Sequence, residues 1–205
     1  MSTLASLLPA VPVLGWVVHA RWLHSRLTTA RHDPLTALWT RDAFTRRARR
    51  LLRDPRAVVV LADVDHFKQI NDRFGHAAGD VLLSTVAARL AHGTGPGGVV
   101  GRLGGDEFAA VLIDCDGTAA DRLHTLARVL ARPVDNAPDV HTSVSLGWVR
   151  AVDHRGEDLS TLLRRADEAM YAAKRSGRSG PLRAARLGRL LGSVAGRRPG
   201  RRGAA

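Results

Sequence analysis

The sequence predicts an α+β fold in which helices cover a largely antiparallel sheet. Three observations lead there. Ala57–Val64 is an unbroken apolar run of strand length, ended by Asp63-Val64-Asp65. Gly104-Gly105-Asp106-Glu107-Phe108 reads as a tight glycine turn leading into a second apolar run, Phe108–Ile113. Segments with apolar residues at helical spacing alternate with these runs along the middle of the chain.

Taken in order, His32-Asp33-Pro34-Leu35-Thr36 reads as a turn, with Pro34 fixing its dihedral and Asp33 placed to cap the next segment. A helix over about 41–53 carries Phe44, Ala48, Leu51 and Leu52 on one face. The strand 57–64 leads to a short helix near 66–72 and a turn at Phe74-Gly75-His76. The next helix, 79–91, has Val81, Leu82, Thr85, Val86 and Leu90 as its stripe, and Gly93–Gly98 is a glycine-rich loop. Residues 99–108 read as a hairpin, 117–132 as a helix and 140–149 as a strand. The last helix, 159–176, turns Leu162, Leu163, Ala166, Met170 and Ala173 inward. His76 reads as a packing residue of its turn.

The chain has 205 residues and is 45% hydrophobic, enough for one domain with extensions. Its net charge of +12 is unevenly spread. Residues 1–31 carry +3 and 181–205 carry +7, with no acid in either, which leaves +2 on 32–180. Polyanion binding by charge is thereby confined to the ends. The chain divides into three segments: 1–31, a hydrophobic N-terminal helix and linker; 32–180, the folded domain; and 181–205, a basic tail expected to be disordered. Residues 4–23 approach the length of a membrane span, with Pro9 and Pro12 inside. They read as a membrane anchor that leaves the rest of the chain in the cytoplasm, or as an amphipathic or capping helix. No basic residue precedes the apolar stretch, which argues against a cleaved signal peptide. The tail reads as a solvated segment, with no specific nucleic-acid binding expected. One cysteine, Cys115, excludes an intramolecular disulfide; its neighbours Asp114 and Asp116 oppose a nucleophilic thiolate.

Carboxylates at the end of a buried strand are costly unless something positive neutralises them. Two such ends, at Asp63 and Asp106, suggest one divalent-cation site built from both, if their strands are neighbours. Unit charges about 4 Å apart repel by roughly 4 kcal/mol at an effective dielectric of 20. A hard, oxygen-seeking ion that shares a nucleotide's phosphates suits such a cluster. Of the 31 basic residues only Lys68 and Lys174 are lysines, which is either chance or a use for a compact ammonium. Asn71 and Asp80 could each be a helix cap or a turn residue.

From about Asp33 to Gly180 the chain resembles the GGDEF domain of diguanylate cyclases. The resemblance rests on separated motifs: Asp33-Pro34-Leu35-Thr36 with Leu38 and Arg41; 63–72, Asp-Val-Asp-His-Phe-Lys-Gln-Ile-Asn-Asp; 75–80, Gly-His-Ala-Ala-Gly-Asp; the pentapeptide 104–108; and 166–174 with Gly177-Arg178. It implies a nucleotidyl-cyclase-like, ferredoxin-like βααββαβ fold, with an antiparallel-rich sheet flanked by helices. It also implies condensation of two GTP into cyclic di-GMP and two pyrophosphates, with Mg2+ or Mn2+, by a homodimer. Asp63, the Val64 carbonyl, Asp106 and Glu107 would hold metal, and Glu107 would also help activate the attacking hydroxyl. Lys68, Lys174 and Arg178 would bind phosphates, and Arg102 would stabilise charge at the reacting phosphorus. Asn71 and Asp80 would contact guanine, and Phe67 belongs to the same nucleotide-binding stretch. The competing reading is a non-catalytic module that binds GTP or cyclic dinucleotide and signals through contacts.

Two departures stand out. Thr40 occupies the position before Arg41 where the family usually has Asn. Gly95-Pro96-Gly97-Gly98 occupies the place of the family's Arg-x-x-Asp product-inhibition motif, so no feedback site is expected there.

Overall fold

The computed structural model describes residue 16 and residues 31–135, 137, 139–175 and 181–184. Residues 4–23 other than 16, Arg178 and the tail from 185 lie outside the described residues, so the proposed anchor and that arginine's role stay expectations.

Six strands form one sheet in the order β1-β3-β4-β2-β5-β6. They are β1 (Trp39–Thr40), β2 (Ala57–Val64), β3 (Val99–Gly104), β4 (Glu107–Ile113), β5 (Val144–Arg150) and β6 (Leu182–Arg183). The four long strands pair antiparallel, and the two-residue edges β1 and β6 add parallel. Among the described residues from 31 onward, the α-helices are, in chain order, α1 (Arg41–Leu51), α2 (Phe67–Phe74), α3 (His76–Thr94), α4 (Ala119–Leu130) and α5 (Leu159–Arg175).

Helices cover both faces of the sheet. Val58, Val60, Ala62 and Val64 of β2 point into a core with Leu82, Val86 and Leu90 of α3 and Leu123, Leu126 and Leu130 of α4. Val59 and Leu61 point the other way, onto Phe44 and Ala48 of α1 and Leu162, Ala166 and Met170 of α5. Two buried faces explain why β2 reads as a continuous apolar run and not as an alternating one.

Several boundaries differ from the sequence reading. α3 begins at His76 and ends at Thr94, so the glycine loop is only 95–98. Gly93 is helical and lies against Leu126, whose methyl would meet any Cβ there. Val81 of the expected stripe is half exposed, and Leu83 and Ala87 are buried instead. His76 is exposed at the start of α3, so its side chain does not pack the turn. β5 begins at Val144 and not at 140. Ser143 continues the pairing only by accepting the Asp65 N–H, Thr142 donates its hydroxyl to the Asp65 carbonyl oxygen, and Val140 exchanges backbone bonds with Val134 and Ala137. Thr40 gives α1 no side-chain cap; its hydroxyl donates to the Arg31 carbonyl oxygen.

One glycine sets how closely α5 approaches the sheet. A Cβ on Gly147 of β5 would overlap the Ala166 carbonyl oxygen and come within 2.8 Å of the Met170 backbone nitrogen. Backbone cannot rotate out of the way as a side-chain tip can. Gly147→Ala is therefore expected to lift α5 and to lower unfolding free energy by about 2 kcal/mol or more, read as a lower urea midpoint with unchanged slope.

Candidate active site

The acidic ends of β2 and β4 meet at one end of the sheet. Asp63 stands opposite Glu107 in the antiparallel register, and opposite Ser145 on its other side. The Val64 N–H donates to the Asp106 carbonyl oxygen at 3.3 Å, which ties the glycine turn to β2. Gly104 and Gly105 both have positive φ, +151° and +52°, and so form a turn that residues with a Cβ resist. Asp63, Val64, Asp106 and Glu107, predicted from separate motifs, are thus brought together by strand pairing.

Lys174, in the last turn of α5, reaches this acidic end. Its Nζ lies 2.5 Å from Asp63 Oδ2 and 3.0 Å from Asp65 Oδ1. Asp65 also accepts hydroxyl hydrogen bonds from Ser143 at 2.6 Å and Ser145 at 2.7 Å. Burial pushes the Asp65 carboxyl up, but the two serines and Lys174 outweigh it and hold it below the usual carboxylate range. Burial likewise opposes the Lys174 charge, and its bonds to Asp63 and Asp65 reverse that and raise it. Lys174 therefore already has carboxylate partners, in addition to the phosphate role the motif implies.

Among the described residues, no three His, Cys, Asp or Glu side chains close on one point as a ready-made metal cage. The donor set nevertheless fits one kind of ion. It consists of hard carboxylate oxygens on adjoining strands, with a cation already drawn to Asp63. Magnesium needs only one or two carboxylates when phosphates and water complete its octahedron.

A second group of contacts braces the turn. Arg102 donates from Nε and Nη2 to the Gly105 carbonyl oxygen, at 2.9 and 2.7 Å, and pairs through Nη1 with Asp33 at 3.0 Å. Asp33 also accepts from the Thr36 N–H and hydroxyl, as its capping position predicted. Burial raises the Asp33 carboxyl, but the Thr36 and Arg102 bonds bring it below its ordinary value. Arg41 donates from Nε to the Leu103 carbonyl oxygen at 2.9 Å and lies 3.9 Å from Glu107. Arg102 is thus committed to the turn itself.

The base-contact candidates lie on the α2–α3 hairpin. Asn71 faces Gly79, and its Oδ1 is buried without a hydrogen-bond partner. Asp80 and Lys68 are exposed, while Phe67 is half-buried against the core. Asn71 does cap the end of α2, but only through its backbone oxygen, which accepts from the Gly75 N–H. The side-chain cap reading is therefore not borne out.

Asp65, Ser143 and Ser145 have no role in the sequence reading. The available signal was the spacing of two: Ser143 and Ser145 fall on one side of an extended segment, as Asp63 and Asp65 do. The Asp33–Arg102 pair, 69 residues apart, left no local signal.

The matched family model, "Diguanylate cyclase, GGDEF domain", spans residues 30–180, and the chain belongs to that family. An uncharacterized 19.3 kDa protein of Streptomyces ambofaciens is 44% identical over 83% of this chain and 92% of its own length. The diguanylate cyclase TpbB of Pseudomonas aeruginosa is 39% identical over 73% of this chain, and DgcN of Escherichia coli is 38% identical over 72%. The chain spans little more than a third of the length of these two cyclases, 36% and 38%. The coiled coil and GGDEF domain of DgcB from Caulobacter crescentus, a complex with c-di-GMP, superposes with a TM-score of 0.74 at 27% identity. That match covers 90% of this chain and all of the DgcB chain. The GGDEF domain of TpbB gives 0.68 at 36% identity, over 78% of this chain and 99% of its own. The fold is therefore that of GGDEF domains. None of the described helices is long and apolar enough to cross a membrane.

The Asp65 cluster predicts a pH dependence of definite sign. A carboxyl held below its unfolded value stabilises the fold above that value, near 3.9, and loses the contribution as pH falls through the folded one. Asp65→Asn is expected to be less stable than wild type at pH 7, with the gap closing as pH falls below the ordinary carboxylate range. Urea midpoints measured from pH 7 downward would check this; a constant gap would show that the charge is not what stabilises.

Proposed function

We propose that this chain is a diguanylate cyclase that condenses two GTP into cyclic di-GMP and two pyrophosphates, with divalent metal and as a dimer. The observation that carries the reading is the register that sets Asp63 against Glu107 while Val64 is bonded to Asp106. It makes one acidic site out of two distant motifs. Asp63, the Val64 carbonyl, Asp106 and Glu107 would hold Mg2+ or Mn2+. Bound there, the metal neutralises phosphate charge and polarises the reacting phosphorus.

Lys68 and Lys174 bind the phosphates from α2 and from the end of α5, and Arg178 joins them. Lys174 keeps one bond to Asp65 when a phosphate takes the place of Asp63. Asn71 and Asp80 hold the guanine, whose N–H groups suit a carboxylate and whose carbonyl suits an amide hydrogen. In each half-reaction a ribose 3′-oxygen forms a bond to the α-phosphorus of the opposite GTP. The bond to the bridging oxygen breaks, and pyrophosphate leaves. Glu107, half exposed at the turn, would accept the hydroxyl proton. One domain holds one GTP, so two domains face each other. Arg102, by fixing the Gly105 carbonyl oxygen, keeps the turn in the shape this requires.

The full chain with GTP and Mg2+ is expected to release cyclic di-GMP, detected by chromatography. Asp106→Ala and Glu107→Ala are each expected to lower the rate at least about a hundredfold with little change in melting temperature, because neither side chain belongs to the core. GTP binding without product in the wild type would favour the non-catalytic module.

Product inhibition provides a second check. Gly95-Pro96-Gly97-Gly98 offers no charged side chain to a phosphate. Cyclic di-GMP titrated into the assay is expected to compete with GTP only. Tight noncompetitive inhibition that disappears when residues 95–98 are replaced would contradict this.

A further inference from the structure

Gly79 sits in the second turn of α3, across the helical hairpin from Asn71. A Cβ on Gly79 would overlap Asn71 Oδ1 outright. It would also lie 3.0 Å from Asn71 Cγ and 3.2 Å from Phe67 Cε2. The Asn71 carboxamide therefore occupies the space that any other residue at position 79 would fill. Its oxygen is buried there without a partner, although buried acceptors in native proteins are nearly always bonded. An unpartnered oxygen does not hold a side chain in place. The shape of the slot does, and that shape is the bare Cα of Gly79.

Gly79 needs no unusual backbone. It lies inside α3, where an alanine would favour the helix, and positive φ is found instead at Gly75, which joins the two helices. Glycine at position 79 is thus explained by what its missing side chain admits. The next residue along α3, Asp80, is exposed.

We propose that Gly79 is a specificity-determining residue: by leaving a slot for the Asn71 carboxamide, it holds that group where, alongside Asp80, it distinguishes guanine from adenine. This rests on the reading of the site as a GTP site. Guanine carries an acceptor at position 6 and donors at positions 1 and 2; adenine reverses the 6-position and lacks the 2-amine. A site that fixes its polar groups rejects the reversed pattern, because those groups are then left unpaired. A displaced carboxamide loses that discrimination and leaves the phosphate and metal groups untouched.

The test is a double-mutant cycle on the full chain with Gly79→Ala, Asn71→Ala and the pair, reading both melting temperature and competition between GTP and ATP. Gly79→Ala is expected to raise KM for GTP about tenfold, to leave kcat within about threefold and to lower the GTP:ATP affinity ratio about tenfold. Asn71→Ala removes the obstructed group, so the double variant is expected to bind GTP no more weakly than Asn71→Ala alone and to regain the melting temperature lost in Gly79→Ala. Additive losses in binding and melting would overturn the seating, as would a Gly79→Ala protein with the wild-type GTP:ATP ratio. A wild-type chain that binds neither nucleotide would overturn the GTP reading and the specificity role with it. The melting cycle would still report separately whether Gly79 seats Asn71.

Discussion

The ion pairs of Lys174 with Asp63 and Asp65 are the constraint on which the rest of the site depends. Strand pairing crowds Asp63, Asp65 and Glu107 at one end of the sheet. Like charges gathered at one end of a sheet repel, and a cation among them offsets that repulsion. Lys174 supplies one from a helix more than a hundred residues further along the chain. Its position is not independent of the sheet. Gly147 lets the backbone of α5 rest directly on β5 at Ala166, and Lys174 lies two turns later on the same helix. A missing side chain in the middle of a strand thereby sets the reach of the ammonium at its end.

The glycine turn is held from its other side by arginines. Arg102 joins the turn to Asp33, and Arg41 joins the residue before it to the start of α1. The turn therefore has two attachments: to β2 through Val64, and to the 33–41 segment through side chains. Any displacement of that segment acts on the Gly105 carbonyl oxygen through one guanidinium. Arg102 and Asp33 are mostly buried, with side chains 15% and 19% exposed, so this pair is less screened than a surface bridge and transmits position more firmly.

Much of this was legible in the sequence, and what was not legible has definite physical causes. The central strands were visible because burial on both faces leaves nothing polar in them until Asp63. The acidic turn was visible because only glycines permit it. The start of β5 is hidden because Val140 looks like a strand residue by composition, whereas its backbone is bonded to Val134 and Ala137 and not to β2. Val81 misleads because it fits the helical stripe by type, yet Leu83 and Ala87 complete the stripe that the sheet covers. Asp65 lies within a recognisable motif but shows no role there, because its partners come from β5 and α5 and no local pattern connects them. Arg102 showed its charge but not its commitment to Asp33.

The three parts of the site have unequal rigidity, and the cause lies in how each is attached. The acidic end is fixed by seven register pairs between β2 and each neighbour, so its carboxylates cannot move without the sheet. Lys174 stands in the last turn of α5 and is held through charge, by Asp63 and Asp65. The α2–α3 hairpin is attached differently again. None of α2's eight residues is fully buried, and it meets the core through half-buried Phe67, Ile70 and Phe74. Its position rests on helix-to-helix shape, with Asn71 in the slot at Gly79. The three parts are thus a rigid acidic end, an ammonium held by charge, and a hairpin whose Asn71 is seated by one absent methyl group.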